Sequence, residues 1–307
     1  MNKKKLQCII TVLFFLIIFC SNKLEIFDMS DIDLFKNTPA WDLVKAIDKE
    51  NIYKIKKILS VDKSLANFQE SLYGMTPLMR AIGTDKYKST KELLDCGANP
   101  NLASKIGTNP LFEAISYRWN DVTAKNDTKY VKLLLSYGAN PNLGYFYQKI
   151  VGETNPIEYG TSPLIYAIAY SSGYDIVRLL VASGAEINYK TRLGNTAAIE
   201  SLKMEDINSA FYLIVENKAK IVEPYFYYNL INDTVIDKDK PFYPVDLLLD
   251  WTYEIGSERY NKKKLIVQEF ANQGVSYNDS KVKINNLILR KIKKNNPNNW
   301  KEYLEKY

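Results

Sequence analysis

The sequence predicts an all-α solenoid in which short helix pairs stack in phase into one curved rod. Three observations carry that expectation. First, one phrase returns along the chain, as YGMTPLMRAI at 73–82, IGTNPLFEAI at 106–115, YGTSPLIYAI at 159–168 and, worn, LGNTAAIESL at 193–202. Second, each phrase is followed by a second apolar segment: TKELLDCGANPN, YVKLLLSYGANPN, IVRLLVASGAEIN and AFYLIVENKAKI. Third, the offset is nearly constant, 33 residues from Pro77 to Pro110 and 34 from Pro163 to Ala197. Self-similarity at such a period marks one supersecondary unit repeated along the chain.

The residues of the phrase explain its local structure. Thr76 precedes Pro77, and proline suits the first helical turn because its missing N–H would be unpaired there anyway. Leu78, Ala81 and Ile82 recur at helical spacing and form one apolar face. Small Ala81, Ala114 and Ala167 let paired helices approach closely, and Leu93–Leu94 and Leu133–Leu134 face the next unit. Gly97, Gly138 and Gly184 stand where a helix C-terminal cap needs positive φ. Asn99-Pro100 and Asn140-Pro141 then turn the chain outward. One such unit cannot bury its own core, and stacking supplies the missing partner surface.

The T-P-L-x-x-A opening and the L-L-x-x-G-A-x-x-N close resemble the ankyrin repeat family, clearly over residues 73–222. The resemblance implies an ankyrin-repeat solenoid with hairpin-like fingers over residues 37–280, about six repeats. TPAWDLVKAIDKENIYKIKKIL (38–59) looks like an N-terminal capping repeat. FYPVDLLLD (242–250) with LIVQEFANQGVSY (265–277) looks like a degenerate last repeat split by an insertion. The family's histidine after T-P-L is replaced by Met79, Phe112 and Ile165, so apolar packing must hold that turn.

Long insertions interrupt the array at SYRWNDVTAKNDT, GYFYQKIVGETNPIEY and EPYFYYNLINDTVIDKDKP. They carry Tyr117 and Trp119, then Tyr145, Phe146 and Tyr147, then Tyr225 to Tyr228. Aromatic clusters on loops suit protein-binding anchors, and they equally suit covering the edges of the stack. By family position, partner contacts fall on the fingertips Leu72, Tyr73, Met75, Lys105, Tyr159 and Arg192, and on the helix ends Thr84, Tyr117, Tyr170 and Met204.

Composition narrows the function. Apolar residues are 46% and charged residues 25%, an ordinary globular balance. Histidine is absent, which excludes a Ser–His–Asp triad, a Cys–His pair and His-ligated zinc. No glycine-rich phosphate loop follows a strand, and Asp246 and Asp250 are one helical turn apart, as on many solvated faces. No catalytic, cofactor-binding or metal-ligating residue is assigned, and the chain reads as a non-enzyme. The net charge of +6 falls to about +3 without Lys3, Lys4 and Lys5 and reads as dispersed, which argues against nucleic acid.

Residues 1–20 have a basic start and an apolar run from Leu6 to Cys20, short for a membrane span and proportioned like a secretory signal. IIFC at 17–20 resembles a bacterial lipoprotein box with Cys20 as the lipidated residue, although Phe19 stands where a small residue is usual. An ordinary signal or an uncleaved anchor are the alternatives. Residues 21–36 read as a linker, and residues 281–307 as a basic capping helix with Ile284, Leu287, Ile288 and Ile292 turned to the last repeat. Contact of that helix with anionic lipid is the other reading.

Together these features imply an exported protein-binding ankyrin lipoprotein, held in the periplasm at the outer membrane. Its expected partner is a protein, and its membrane contact an N-terminal lipid. Exported ankyrin lipoproteins are similar to immunity proteins of type VI secreted phospholipases, so a steric inhibitor of a secreted lipase-type toxin is expected. A periplasmic scaffold or regulator in stress defence is the alternative.

Overall fold

Thr76, Asn109, Ser162 and Thr196 each turn a side-chain oxygen onto the open N–H groups of the helix that follows. This N-capping sets the start of four successive first helices in the computed structural model, which describes residues 31–116, 127–146, 158–229, 234–236 and 241–306. Those helices are α3 (Pro77–Gly83), α5 (Pro110–Ile115), α7 (Pro163–Ala169) and α9 (Ala197–Lys203). α1 (Trp41–Asp48) precedes them and α11 (Pro244–Leu247) follows. They pack in the order α1, α3, α5, α7, α9, α11.

The second helices are α2 (Ile52–Val61), α4 (Tyr87–Asp95), α6 (Lys129–Ser136), α8 (Tyr174–Ala182), α10 (Ile207–Ala210) and α12 (Glu258–Asn272). A π-helical turn, Phe211–Glu216, extends α10. α2 packs on α4, α6 on α8, and α10 lies between α8 and α12. One apolar core runs unbroken from Leu43 to Tyr303. Met79, Phe112 and Ile165, which stand in place of histidine, are buried, as the packing of the turn requires.

Gly97, Gly138 and Gly184 end α4, α6 and α8 with φ of +93°, +82° and +89°. An asparagine from the preceding repeat bridges each of these turns. The side-chain amides of Asn67, Asn101 and Asn142 donate to the carbonyls of Gly97, Gly138 and Gly184 at 3.1, 2.9 and 3.0 Å. Their side-chain oxygens accept the N–H of Asn99, Asn140 and Glu186 at 2.6, 2.7 and 2.8 Å. Asn188 accepts the Lys220 N–H at 2.8 Å, continuing the acceptor half of the ladder into the worn repeat.

The array differs from expectation at both ends and in its third insertion. Residues 31–36 are not simply linker: Ile32–Phe35 form a 3-10 turn, and Phe35 is buried with Ala40, Val44, Met75 and Met79. Residues 281–306 are not one helix. A 3-10 turn, Lys281–Lys283, leads to α14 (Asn286–Asn295) and α15 (Trp300–Lys306), after the short α13 (Tyr277–Ser280). Ile288 and Ile292 are buried and Ile284 is half-buried, but Leu287 faces solvent. The third insertion adds a two-stranded antiparallel hairpin, β1 (Tyr227–Asn229) with β2 (Thr234–Ile236), beside the helices.

The last repeat closes over a buried lysine. The ammonium of Lys263 on α12 donates to the Trp251 carbonyl at 2.8 Å and to the phenols of Tyr303 and Tyr277 at 3.1 and 3.2 Å. These bonds tie α13 and α15 to the repeat through one polar knot inside an apolar shell. A buried polar group is tolerated only when it is paired in this way.

Candidate protein-binding edge

The fingers between repeats are built by local bonds and then joined to one another. In the first, the buried Glu70 carboxylate accepts the N–H groups of Leu72, Tyr73 and Met75 at 2.6, 2.8 and 2.8 Å. In the second, Ser104 N–H donates to Thr108 O at 2.7 Å. Each finger then bonds the next: Lys105 N–H to Tyr73 O at 2.8 Å, and Phe146 N–H to Gly107 O at 3.3 Å. Leu193 N–H reaches the Glu158 carboxylate at 3.0 Å, and Phe226 N–H reaches Leu193 O at 2.8 Å. The described parts of the fingers are thus joined by hydrogen bonds into one edge.

Glu158 is the joint between the third and fourth fingers. Burial pushes its carboxyl above the usual range, against the Thr191 hydrogen bond, the Leu193 N–H and the charges of Arg192 and Lys203. Lys203 is itself held below the usual lysine range by burial, with Glu200 opposing, and its ammonium lies 4.4 Å from the Tyr225 ring centroid. Neither Glu70 nor Glu158 stood out in the sequence. Their roles depend on backbone N–H groups that only the folded turns bring together.

Leu72, Lys105, Phe146, Tyr159, Arg192 and Met204 are exposed along this edge and the adjoining helix ends. Tyr73, Thr84 and Tyr170 are half-buried. Thr84 donates its hydroxyl to Arg80 O at 2.7 Å, capping its own helix. Tyr170 stacks on Tyr166 at 4.3 Å, and Tyr166 meets Phe112 edge-on at 4.8 Å. Two expected contact residues are corrected. Met75 is buried in the N-terminal cluster, and Tyr145 is buried against Phe112 with its backbone bonded to Gly160 and Thr161. Both give their apolar surface to the core, where water is excluded, and are not available to a partner. Cys20, Tyr117, Trp119 and Tyr147 lie outside the described residues.

The first helices carry an ion pair near one end of the array and an aromatic cluster, Phe112 with Tyr166 and Tyr170, toward its middle. Arg80 is buried and forks onto Asp48, Nε to Oδ1 at 3.1 Å and Nη2 to Oδ2 at 2.8 Å. Cys96 is half-buried, and burial together with Glu92 pushes its thiol up, away from a reactive thiolate. Asp246 and Asp250 are each committed to a lysine, Lys283 at 2.6 Å and Lys291 at 2.7 Å.

A family model of ankyrin repeats in three copies matches residues 43–145, and a second, of many copies, matches residues 164–214. The chain belongs to the ankyrin repeat family. The pair α11 and α12 lies beyond both matches, yet it stacks on α9 and α10 as another ankyrin repeat would. This ankyrin protein is similar to an ankyrin repeat protein of Acanthamoeba polyphaga mimivirus, 30% identical over 167 residues, which are 50% of this chain and 28% of that one. It is also similar to an ankyrin repeat protein of Fowlpox virus (strain NVSL), 27% identical over 145 residues, 47% of this chain and 38% of that one. The matched stretches thus cover well under half of either relative's length. No helix among the described residues is long and apolar enough to cross a membrane.

Proposed function

We propose that this ankyrin protein is a dedicated binder of one folded protein, which it grips along the joined finger edge. The continuity of that edge carries the reading. Hydrogen bonds join the described parts of five successive fingers and hold the backbone beside Leu72, Phe146, Tyr159 and Arg192 in place. Preorganisation spares the entropy of ordering loops on association, and a few aromatic or arginine anchors then carry most of the affinity.

The finer form of the proposal is an exported inhibitor that covers the active site of a secreted lipase-type toxin. The signal-like segment with Cys20 and the aromatic insertions of the sequence support it. A scaffold in stress defence is the competing form, and the viral relatives, named only for their repeats, favour neither. Deleting the gene is expected to leave cells sensitive to siblings that release the toxin, and complementation with Tyr159→Ala plus Arg192→Ala is expected to protect poorly. Normal competition by the deletion strain would sink the inhibitor form. Undiminished capture of the partner by the double variant would sink the finger edge itself.

A further inference from the structure

The formal net charge of +6 is concentrated at one end of the array, contrary to the dispersed charge expected. Residues 281–306 hold eight Lys or Arg against two Glu, a balance of +6, so the rest of the chain sums to zero. Two of those cations pair with carboxylates of the last repeat, Lys283 with Asp246 and Lys291 with Asp250. Arg290, Lys293 and Lys294 are exposed.

Ile288 and Ile292 pin the inner side of α14, so the opposite side looks outward. Positions 287, 290 and 294 share one face of a helix. Leu287, 61% exposed, therefore stands in line with Arg290 and Lys294. Trp300 is half-buried at the start of α15, with the ammonium groups of Lys293 and Lys301 at 4.4 and 5.6 Å from its ring centroid. Cations around an exposed leucine and a tryptophan form the pattern of a helix that lies in a headgroup layer. There the charges meet anionic lipid, the leucine enters the acyl boundary and tryptophan sits at the interface.

We propose that the outer face of α14, with Leu287, Arg290, Lys293 and Lys294, docks the C-terminal end of the array on an anionic lipid surface. Charge complementarity selects an anionic partner, and Leu287 selects a bilayer over a nucleic acid, which would give it no apolar phase. A single weak membrane signal is marginal and two are stable. The lipid that the sequence leads one to expect on Cys20 would supply the other. The inference does not depend on the identity of the protein partner.

The test compares binding of the full chain to vesicles of phosphatidylcholine, with and without phosphatidylglycerol. Binding to the neutral vesicles, measured for every variant, is the baseline. Each basic residue near such a surface is worth about 1 kcal/mol, or roughly fivefold. The triple variant Arg290→Gln, Lys293→Gln, Lys294→Gln is therefore expected to lose on the order of 100-fold of the preference for anionic vesicles. Molar salt, which shortens the screening length to about 3 Å, is expected to do the same to the wild type. Leu287→Ser, tested alone, is expected to weaken anionic binding roughly fivefold and to leave its salt dependence unchanged. A preference that survives the triple variant overturns the proposal, as does Leu287→Ser binding like wild type. Tighter binding of duplex DNA than of anionic vesicles, lost in the triple variant, would replace it with a nucleic-acid surface.

Discussion

Asn101 closes on Gly138 one repeat later, its amide donating to the Gly138 carbonyl at 2.9 Å while its oxygen accepts the Asn140 N–H at 2.7 Å. The glycine turn exposes one carbonyl and one N–H at the spacing of a single carboxamide. A carboxamide carries the donor and the acceptor on two separate atoms and so satisfies both. The same rung recurs at Asn67 and Asn142, so the repeats are joined by polar bonds on one side and by the apolar core on the other.

Asn101→Ala removes both bonds and is expected to cost about 1–2 kcal/mol, since each such bond contributes about 1 kcal/mol net. Asn101→Asp keeps only the acceptor and should still be destabilising. Urea unfolding measures both, and an unchanged midpoint for the alanine variant would show that the ladder contributes nothing.

Two glycines with similar φ should respond differently to alanine. At Gly97, φ +93°, a Cβ would meet nothing within 4 Å, so Gly97→Ala is expected to cost about 1–2 kcal/mol from backbone conformation alone. At Gly194, φ +80°, a Cβ would lie 2.8 Å from Pro224 O and 3.3 Å from Tyr225 Cα. Gly194→Ala must also push the fifth finger off the fourth, so its cost should be the larger by thermal melting. Equal costs would mean that the fingers yield freely.

Lys263 predicts a pH dependence. Burial, and then the charge of Lys281, lowers its ammonium from 10.5 to about 7. Between pH 7 and about 10 the unfolded chain holds a proton there that the folded chain has shed, so stability rises with pH by at most roughly 1.4 kcal/mol per unit. Below pH 7 the lysine is charged in both states and its contribution is flat. Above about 10 the phenols of Tyr277 and Tyr303, held protonated by burial, act in the opposite sense. Melting temperatures from pH 6 to 10 measure this, and Lys263→Met is expected to flatten the rise. A wild-type midpoint that does not climb between pH 7 and 9 would contradict it.

Arg80 and Asp48 join the first two repeats through the forked ion pair, with side-chain exposures of 5% and 27%. Asp48→Ala leaves a guanidinium buried beside its lost partner and is expected to cost about 3 kcal/mol. A double-mutant cycle with Arg80→Ala should give a coupling of roughly 1–3 kcal/mol. Additive costs would place the contribution of Arg80 elsewhere.

By itself the sequence determined the repeat, its helix pairs and its caps, because these depend on neighbours a few residues apart. Thr76 before Pro77, the alanines at the helix contacts and the glycines after each second helix act within one turn, and all stand in the structure where the phrase places them. Only the tertiary structure decided which aromatics face out. Tyr145 and Phe146 are adjacent in one insertion, yet one is buried on Phe112 and the other exposed. It alone turned Met75 inward, Leu287 outward and Phe35 into the core, and joined the fingers through Glu158. Each of these outcomes depends on surfaces and N–H groups contributed from another repeat about 30 residues or more away. No local pattern records which side of a loop such a neighbour will occupy.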